Sequence, residues 1–185
     1  MAGSFLDASA RAAFEQAIAT IEGASAVEVV IAVRRRSAPY RHANVAIGGL
    51  AALAGLAVML FSDHVFSLTA ILFDPFVVGA IAGAAVELLP DVKRRLSPAA
   101  LRHRMIARAA RATFVERGVH DTRDRSGILV YLSWLEREAA IVLDSGIARA
   151  LASEAHAHAE RALTTAMAAG GAAVARALER LTPML

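Results

Sequence analysis

The stretch ANVAIGGLAALAGLAVMLF, Ala43 to Phe61, holds no charged side chain and is close to the ~20 apolar residues that carry a helix across ~30 Å of hydrocarbon. It predicts a membrane-spanning helix. A second apolar run, Val65 to Leu89, follows after only Ser62, Asp63 and His64, so the pair is expected to form a tight hairpin over residues 43–89, with spans of about 43–61 and 65–89. The second run is less clean, because Asp74 and Pro75 interrupt it and Glu87 stands near its end. Asp74 is expected to cap a helix broken at the proline; the alternative is a carboxylate lining an ion or proton path. The competing reading of the whole hairpin is a buried helical pair in a soluble protein. Gly79 and Gly83, with Gly48, Gly49, Ala51 and Gly55 on the other span, allow close helix contact within the hairpin or between chains.

Working outward, the 185 residues are 57% hydrophobic with a mean hydropathy of +0.49, too apolar for an ordinary soluble domain and too charged to be wholly embedded. Outside the hairpin lie roughly 140 residues, enough for one globular domain with its own core. Cysteine is absent, which excludes disulfides, thiolate zinc sites, CxxC redox chemistry and a cysteine nucleophile, and permits a reducing compartment. The opening MAGSFLDASARAAFEQ lacks the basic-then-apolar layout of a secretory signal, and glycine at position 3 does not fit an N-myristoylation start. These residues are expected to belong to the fold. Arg34, Arg35, Arg36 and Arg41 precede the first span, Lys93, Arg94 and Arg95 follow the second, and the connecting turn has neither residue type. The expectation is a multi-pass protein of the cell inner membrane with both termini cytoplasmic.

The flanking halves read as one discontinuous domain, residues 8–34 and 97–182. Phe14, Ala17, Ile18 and Ile21 mark a helix stopped at Gly23, and the β-branched run Val27 to Val33 an interior strand. Beyond the hairpin, Ser97 and Pro98 open a helix through about Glu116, closed by Gly118. Ile128 to Trp134 and AAIVLD, ending at Asp144, form two strands around the charged break Glu136, Arg137, Glu138. Helices are expected from about Gly146 to Ala169 and from Ala172 to Leu181, with Gly170 and Gly171 as hinge. The fold class is α/β, a small sheet covered by helices and interrupted by the hairpin.

Three consecutive segments, ARAARATFVERG, DTRDRSGILVYLSWLERE and AAIVLDSGI, carry a further pattern: helix, basic turn, glycine, apolar strand, acidic-Arg turn, second strand, glycine. This resembles the TPM domain family, in particular the small bacterial membrane proteins that carry it. The resemblance covers roughly residues 10–34 and 98–182, and Thr122, Arg123, Arg125, Gly127, Glu136 and Arg137 are its most specific positions. It implies a three-layer α/β/α sandwich. It also implies a family whose members are linked to acid phosphatase activity, calcium binding, photosystem repair and receptor association. Two positions depart from the pattern: Arg125 stands where members with proposed calcium or phosphatase sites have an acidic residue, and Asp144 where a glycine is common. Both departures argue against the metal and phosphatase reading.

Asp121, Asp124, Glu136 and Asp144 would suit calcium or magnesium if they converged at one edge of the sheet. The alternative is turn and capping chemistry, with Asp144 capping the helix after it. His156 and His158, in i,i+4 pairs with Glu160 and Glu154, read as a solvated helix face, since no HEXXH is present. Ser126, Ser133 and Ser145 lack a GxSxG setting, and there is no P-loop or GxGxxG, so no nucleophile and no cofactor is identified. The basic excess is more informative: Lys93, Arg94, Arg95, Arg102, Arg104, Arg108 and Arg111 leave the membrane together and are expected to meet anionic headgroups. Few aromatic residues accompany them, which disfavours nucleic acid. The leading expectation is a cytoplasm-facing, membrane-anchored accessory module with a protein partner at the inner membrane, homo-oligomers being open. The alternative is a metal-assisted phosphatase using Asp121, Asp124 and Asp144; a third reading is transport through an oligomer of hairpins using Asp74.

Overall fold

The computed structural model describes residues 5–122 and 124–182, which divide into two compact units. One comprises the described residues up to Ala38 and from Arg102 onward, the other Pro39–Leu101. The chain runs through α1 (Ala8–Ala24), β1 (Glu28–Arg34), α2 (Arg41–Phe61), α3 (Leu68–Ala85), α4 (Pro90–Leu96), α5 (Ala99–Glu116), β2 (Gly127–Ser133), β3 (Glu138–Leu143), α6 (Ser145–Ala150), α7 (Ser153–Ala166) and α8 (Gly171–Glu179). Short 3-10 turns at Val86–Leu88 and Met167–Ala169 extend α3 and α7.

The first unit is built on a three-stranded sheet in the order β1-β2-β3. β1 and β2 run parallel from Glu28↔Gly127 to Arg34↔Ser133, and β2 and β3 antiparallel from Ile128↔Leu143 to Ser133↔Glu138. The central strand is buried along its whole length, as its unbroken apolar sequence requires. Alternation distributes the side chains between two faces. Val29, Ile128, Val130, Leu132, Ala139 and Ile141 pack with Phe14, Ile21, Leu163, Val174 and Leu178 of α1, α7 and α8. On the other face Ala32, Leu129, Tyr131 and Ala140 meet Ile106, Ala110 and Phe114 of α5. Helices thus cover both faces of a mixed sheet, as expected of an α/β fold.

Helix α1 opens at Asp7, whose carboxylate accepts from Ala10 N at 2.7 Å. That bond, with one from the Ser9 hydroxyl, holds the Asp7 carboxyl below its ordinary range. The helix runs past Gly23 to Ala24, because Ser25 supplies the stop by donating backbone N–H and hydroxyl to the Ile21 carbonyl. The single helix expected over 146–169 is two: α6 closes on Leu151, and extended backbone at Leu151 and Ala152 separates it from α7. A helix that the pattern reading passed over, α4, has Pro90 in its first turn with Asp91, and Lys93, Arg94 and Arg95 in its last, the charge order a helix dipole favours.

In the second unit α2 and α3 form an antiparallel hairpin joined by residues 62–67, with Ser67 capping α3 through Ala70 N at 3.2 Å. Gly48 and Gly79 meet back to back: a Cβ on either would lie 2.7 Å from the other's carbonyl oxygen. The small residues Gly48, Gly79 and Gly83 are therefore used inside the hairpin, whereas Gly49 faces open space. Pro75 does not break the second helix. It lies buried inside α3, and Asp74 stands exposed in mid-helix with no cap to make. Proline removes one backbone bond, a loss that close packing on a neighbouring helix tolerates. Both helices are long and apolar enough to cross a membrane.

Candidate functional site

The residues singled out from the sequence fall at opposite ends of β2. At its start, the segment from Gly118 to Gly127 is held by its own backbone and short side chains. Thr122 Oγ1 accepts from Ser126 N at 2.9 Å, and Arg125, in the left-handed region at φ 52°, donates from Nη1 to the His120 carbonyl at 3.1 Å. A Cβ on Gly127 would lie 2.0 Å from the Val119 carbonyl oxygen, so only glycine lets the loop enter the strand there. Gly127 O takes the Asp144 amide at 2.9 Å, and Arg125 O takes the Gly146 amide at 3.1 Å. Thr122, Arg125 and Gly127 are thus parts of one turn; Arg123 lies outside the described residues. Asp121 and Asp124 are exposed at this end. Asp144, only 5% exposed, caps α6 by accepting from Ser145 N, as the capping reading expects, while its Oδ2 lacks a hydrogen-bond partner among the described residues.

Glu136 sits at the other end, in the turn between β2 and β3. Its carboxylate is 2% exposed and accepts from Ser37 N at 2.8 Å and from the hydroxyl of fully buried Ser133. Ser37 Oγ donates to Ser133 Oγ at 2.9 Å, and the turn's Trp134 and Leu135 amides reach back to the Arg34 and Arg35 carbonyls, both at 3.0 Å. Arg137, at φ 54° and exposed, completes the turn. The network ties the segment after β1 to the turn between β2 and β3. Tyr131, nearby on β2, has its hydroxyl pushed above the ordinary 10.0 by burial, with Glu136 adding to the rise and the Ser37 bond opposing it. Ser133 has no reach to a substrate, being 0% exposed.

Strand direction separates these ends by about 20 Å at ~3.3 Å per residue, far beyond what one cation's ligands span. Glu136 therefore does not join Asp121, Asp124 and Asp144. Among the described residues no group of three or more His, Asp or Glu side chains is placed to hold a metal ion.

The basic residues are not one uniform surface. Lys93 is 2% exposed and ion-paired with Glu87, which also accepts from Asn44 at 3.1 Å. Arg94 pairs with Asp91 at 3.1 Å and Arg102 with Glu138 at 3.4 Å. Arg95, Arg104, Arg108 and Arg111 are exposed, as are Arg34, Arg35 and Arg36. Lys93 thus does not offer its charge to a headgroup: burial next to a carboxylate spends it inside the unit.

Three residues of the histidine-bearing helix α7 serve a purpose that the helical spacing does not reveal. Along the outer edge of β3, Ala139 N donates to Thr164 Oγ1 at 3.0 Å and Ile141 N to Glu160 Oε1 at 2.9 Å. His156 Nε2 meets the Ile141 carbonyl at 3.0 Å and lies 3.6 Å from Glu160. This half-buried face of α7 closes the sheet edge rather than facing solvent, whereas His158 and Glu154 are exposed. On the opposite edge, β1 has one such bond among the described residues, from Val29 N to Glu22 Oε1 at 3.1 Å. Beside it runs a groove of about 340 Å³ lined by Leu6, Arg11, Phe14, Glu15 and Ile18 with Ile31 and Val33. No family model, curated protein or solved structure matches this chain.

Proposed function

We propose that this chain is an integral protein of the cell inner membrane whose TPM-like α/β domain faces the cytoplasm and acts as an interaction or accessory module. The supporting observation is the exposure of the hairpin. Only 6% of the apolar stretch of α2, and 22% of that of α3 with its 3-10 extension, is buried. A core helix of a soluble protein would be mostly buried. Val45, Leu50, Leu53, Phe61, Leu68 and Phe76 all stand out from the hairpin, making an apolar surface that hydrocarbon accommodates and water does not.

Charge supplies the orientation. Arg41 opens α2, Arg94 and Arg95 follow α3, and residues 62–67 hold no Lys or Arg, the distribution that keeps both flanks cytoplasmic. The exposed Arg104, Arg108 and Arg111 of α5 would each add about 1 kcal/mol of attraction to an anionic leaflet when close to it. The TPM likeness rests on the sequence pattern, and it favours an accessory role over a particular reaction. No observation on the acidic residues favours the phosphatase alternative.

Because the chain has no cysteine, single cysteines report sidedness without background. Ser62→Cys should react with an impermeant maleimide in intact cells, and Glu154→Cys only after permeabilisation. Labelling of Glu154→Cys in intact cells would sink the orientation, and recovery of the protein in the soluble fraction would sink the anchor. A tagged full chain that retains no protein partner in mild detergent counts against the interaction role.

A further inference from the structure

We propose that this protein pairs with a second copy of itself through β1, the two strands running antiparallel so that two three-stranded sheets become one continuous sheet. The reading goes beyond membrane anchoring and does not rest on it.

The backbone of β1 supplies the first part of the case. Glu28 N donates to Ser126 O, and Arg34 O accepts from Trp134 N, so the even positions spend their backbone groups on β2. Val29, Ile31 and Val33 therefore aim N–H and C=O out of the sheet. Among the described residues only Val29 N has a partner there, the Glu22 carboxylate, and no strand lies against Ile31 or Val33. The usual protections of an edge, a proline, an inward charge or a bulge, are missing between Val29 and Val33. The same sheet closes its other edge with Thr164, Glu160 and His156.

The sequence of the strand selects the occupant. EVVIAVR is complementary to itself when two copies run antiparallel about Ile31. Glu28 then faces the copy's Arg34 at both ends, Val29 faces Val33, and Val30 faces Ala32. In this register each outward-aimed residue lies opposite another outward-aimed one, so the two strands exchange N–H···O bonds at Ile31 and at both Val29–Val33 positions. An in-register parallel pair sets Glu28 on Glu28 and Arg34 on Arg34. Moving the antiparallel centre to Val30 keeps the backbone match and loses both charge pairs. The groove beside β1 adds apolar wall from Phe14 and Ile18, with Arg11 and Glu15 as opposite charges on the same helix. Glu22 is exposed, so it can swing aside and give the Val29 amide to the copy's Val33 carbonyl.

The test uses the full chain in mild detergent. Glu28→Cys and Arg34→Cys are purified with different tags, mixed and oxidised. The expected result is a disulfide in the mixture and none in either variant alone, since opposed non-hydrogen-bonded residues sit about 4.5 Å apart at Cα, within disulfide reach. A monomeric mass at every concentration, or cross-linking indifferent to which cysteines are present, overturns the proposal. A charge swap gives a second reading that needs no disulfide. Glu28→Arg and Arg34→Glu should each weaken the dimer about threefold to tenfold, and the double swap should restore it. A double variant no tighter than the singles overturns the register.

Discussion

Along β3 the outward amides of Ala139 and Ile141 are taken by Thr164 and Glu160 of α7, whereas along β1, among the described residues, only Val29 is taken, by Glu22 at the C-terminal part of α1. Both edges belong to one small sheet, so the difference is not a matter of strand composition: EAAIVL and EVVIAVR are similarly apolar. It comes from what each neighbouring helix carries. Helix α7 spaces Thr164, Glu160 and His156 at four-residue intervals, which puts all three on one face, and that face lies along β3. Helix α1 has one acceptor in the matching place. A closed edge limits growth of the sheet to one side, which makes pairing through the other finite rather than chain-like.

The largest effect should come from breaking the closed edge. Glu160→Ala with Thr164→Val leaves the Ile141 and Ala139 amides half-buried without acceptors, and should cost about 2–4 kcal/mol of stability. Urea unfolding of the full chain in micelles, followed by far-UV circular dichroism, measures it. A loss below about 0.5 kcal/mol would mean that solvent satisfies these amides as well as α7 does, and the two edges would then be equivalent. Glu160→Gln, which keeps the acceptor oxygen, should retain most of the stability.

That closure was only half legible in the sequence. Glu160 and His156 show their i,i+4 relation plainly, and the relation is real, but their target is a backbone segment fifteen to nineteen residues earlier, which no local pattern marks. The strands, the Ser97 and Pro98 start of α5 and the apolar hairpin were legible because each is written in local periodicity or length. The persistence of α3 through Pro75 was not, since it depends on packing against α2. Lys93 looked like one of a basic run, and its burial against Glu87 depends on α4, a helix whose Pro90, Asp91 and basic last turn were present as signals. The separation of the acidic residues follows from strand direction: a β-hairpin leaves Glu136 at its turn and brings Asp144 back beside Gly127. The capping reading of Asp144 needs only its neighbour Ser145, which is why it was legible locally.

Between the edges lies β2, and its Tyr131 offers a perturbation that should leave the comparison intact. Burial raises the folded-state value above 10.0, so the unfolded chain releases this proton first as pH rises. The stabilisation is complete below about pH 10 and is lost as pH climbs toward the folded-state value, with a slope of at most about 1.4 kcal/mol per pH unit. Tyr131→Phe should flatten that alkaline limb in stability measurements made between pH 9 and 11, with the same change in the Glu160→Ala, Thr164→Val background. A slope unchanged by Tyr131→Phe assigns the alkaline loss to other groups.

The smallest effect belongs to Glu22, and it separates a closed edge from one that is merely guarded. If the Glu22–Val29 bond closes β1 as α7 closes β3, Glu22→Ala should lower stability by about 1 kcal/mol or more with no change in mass distribution. If the carboxylate only holds an amide that a second copy would otherwise take, its removal should cost the monomer about 0.5 kcal/mol or less, because Glu22 is exposed and water replaces it. The same removal should tighten self-association about twofold, since the copy's Val33 carbonyl no longer competes with Glu22 for the Val29 amide. Sedimentation of wild type and variant in the same detergent reads both outcomes from one experiment. A weaker dimer for Glu22→Ala would show that the carboxylate supports the interface, and would place the pairing strand elsewhere.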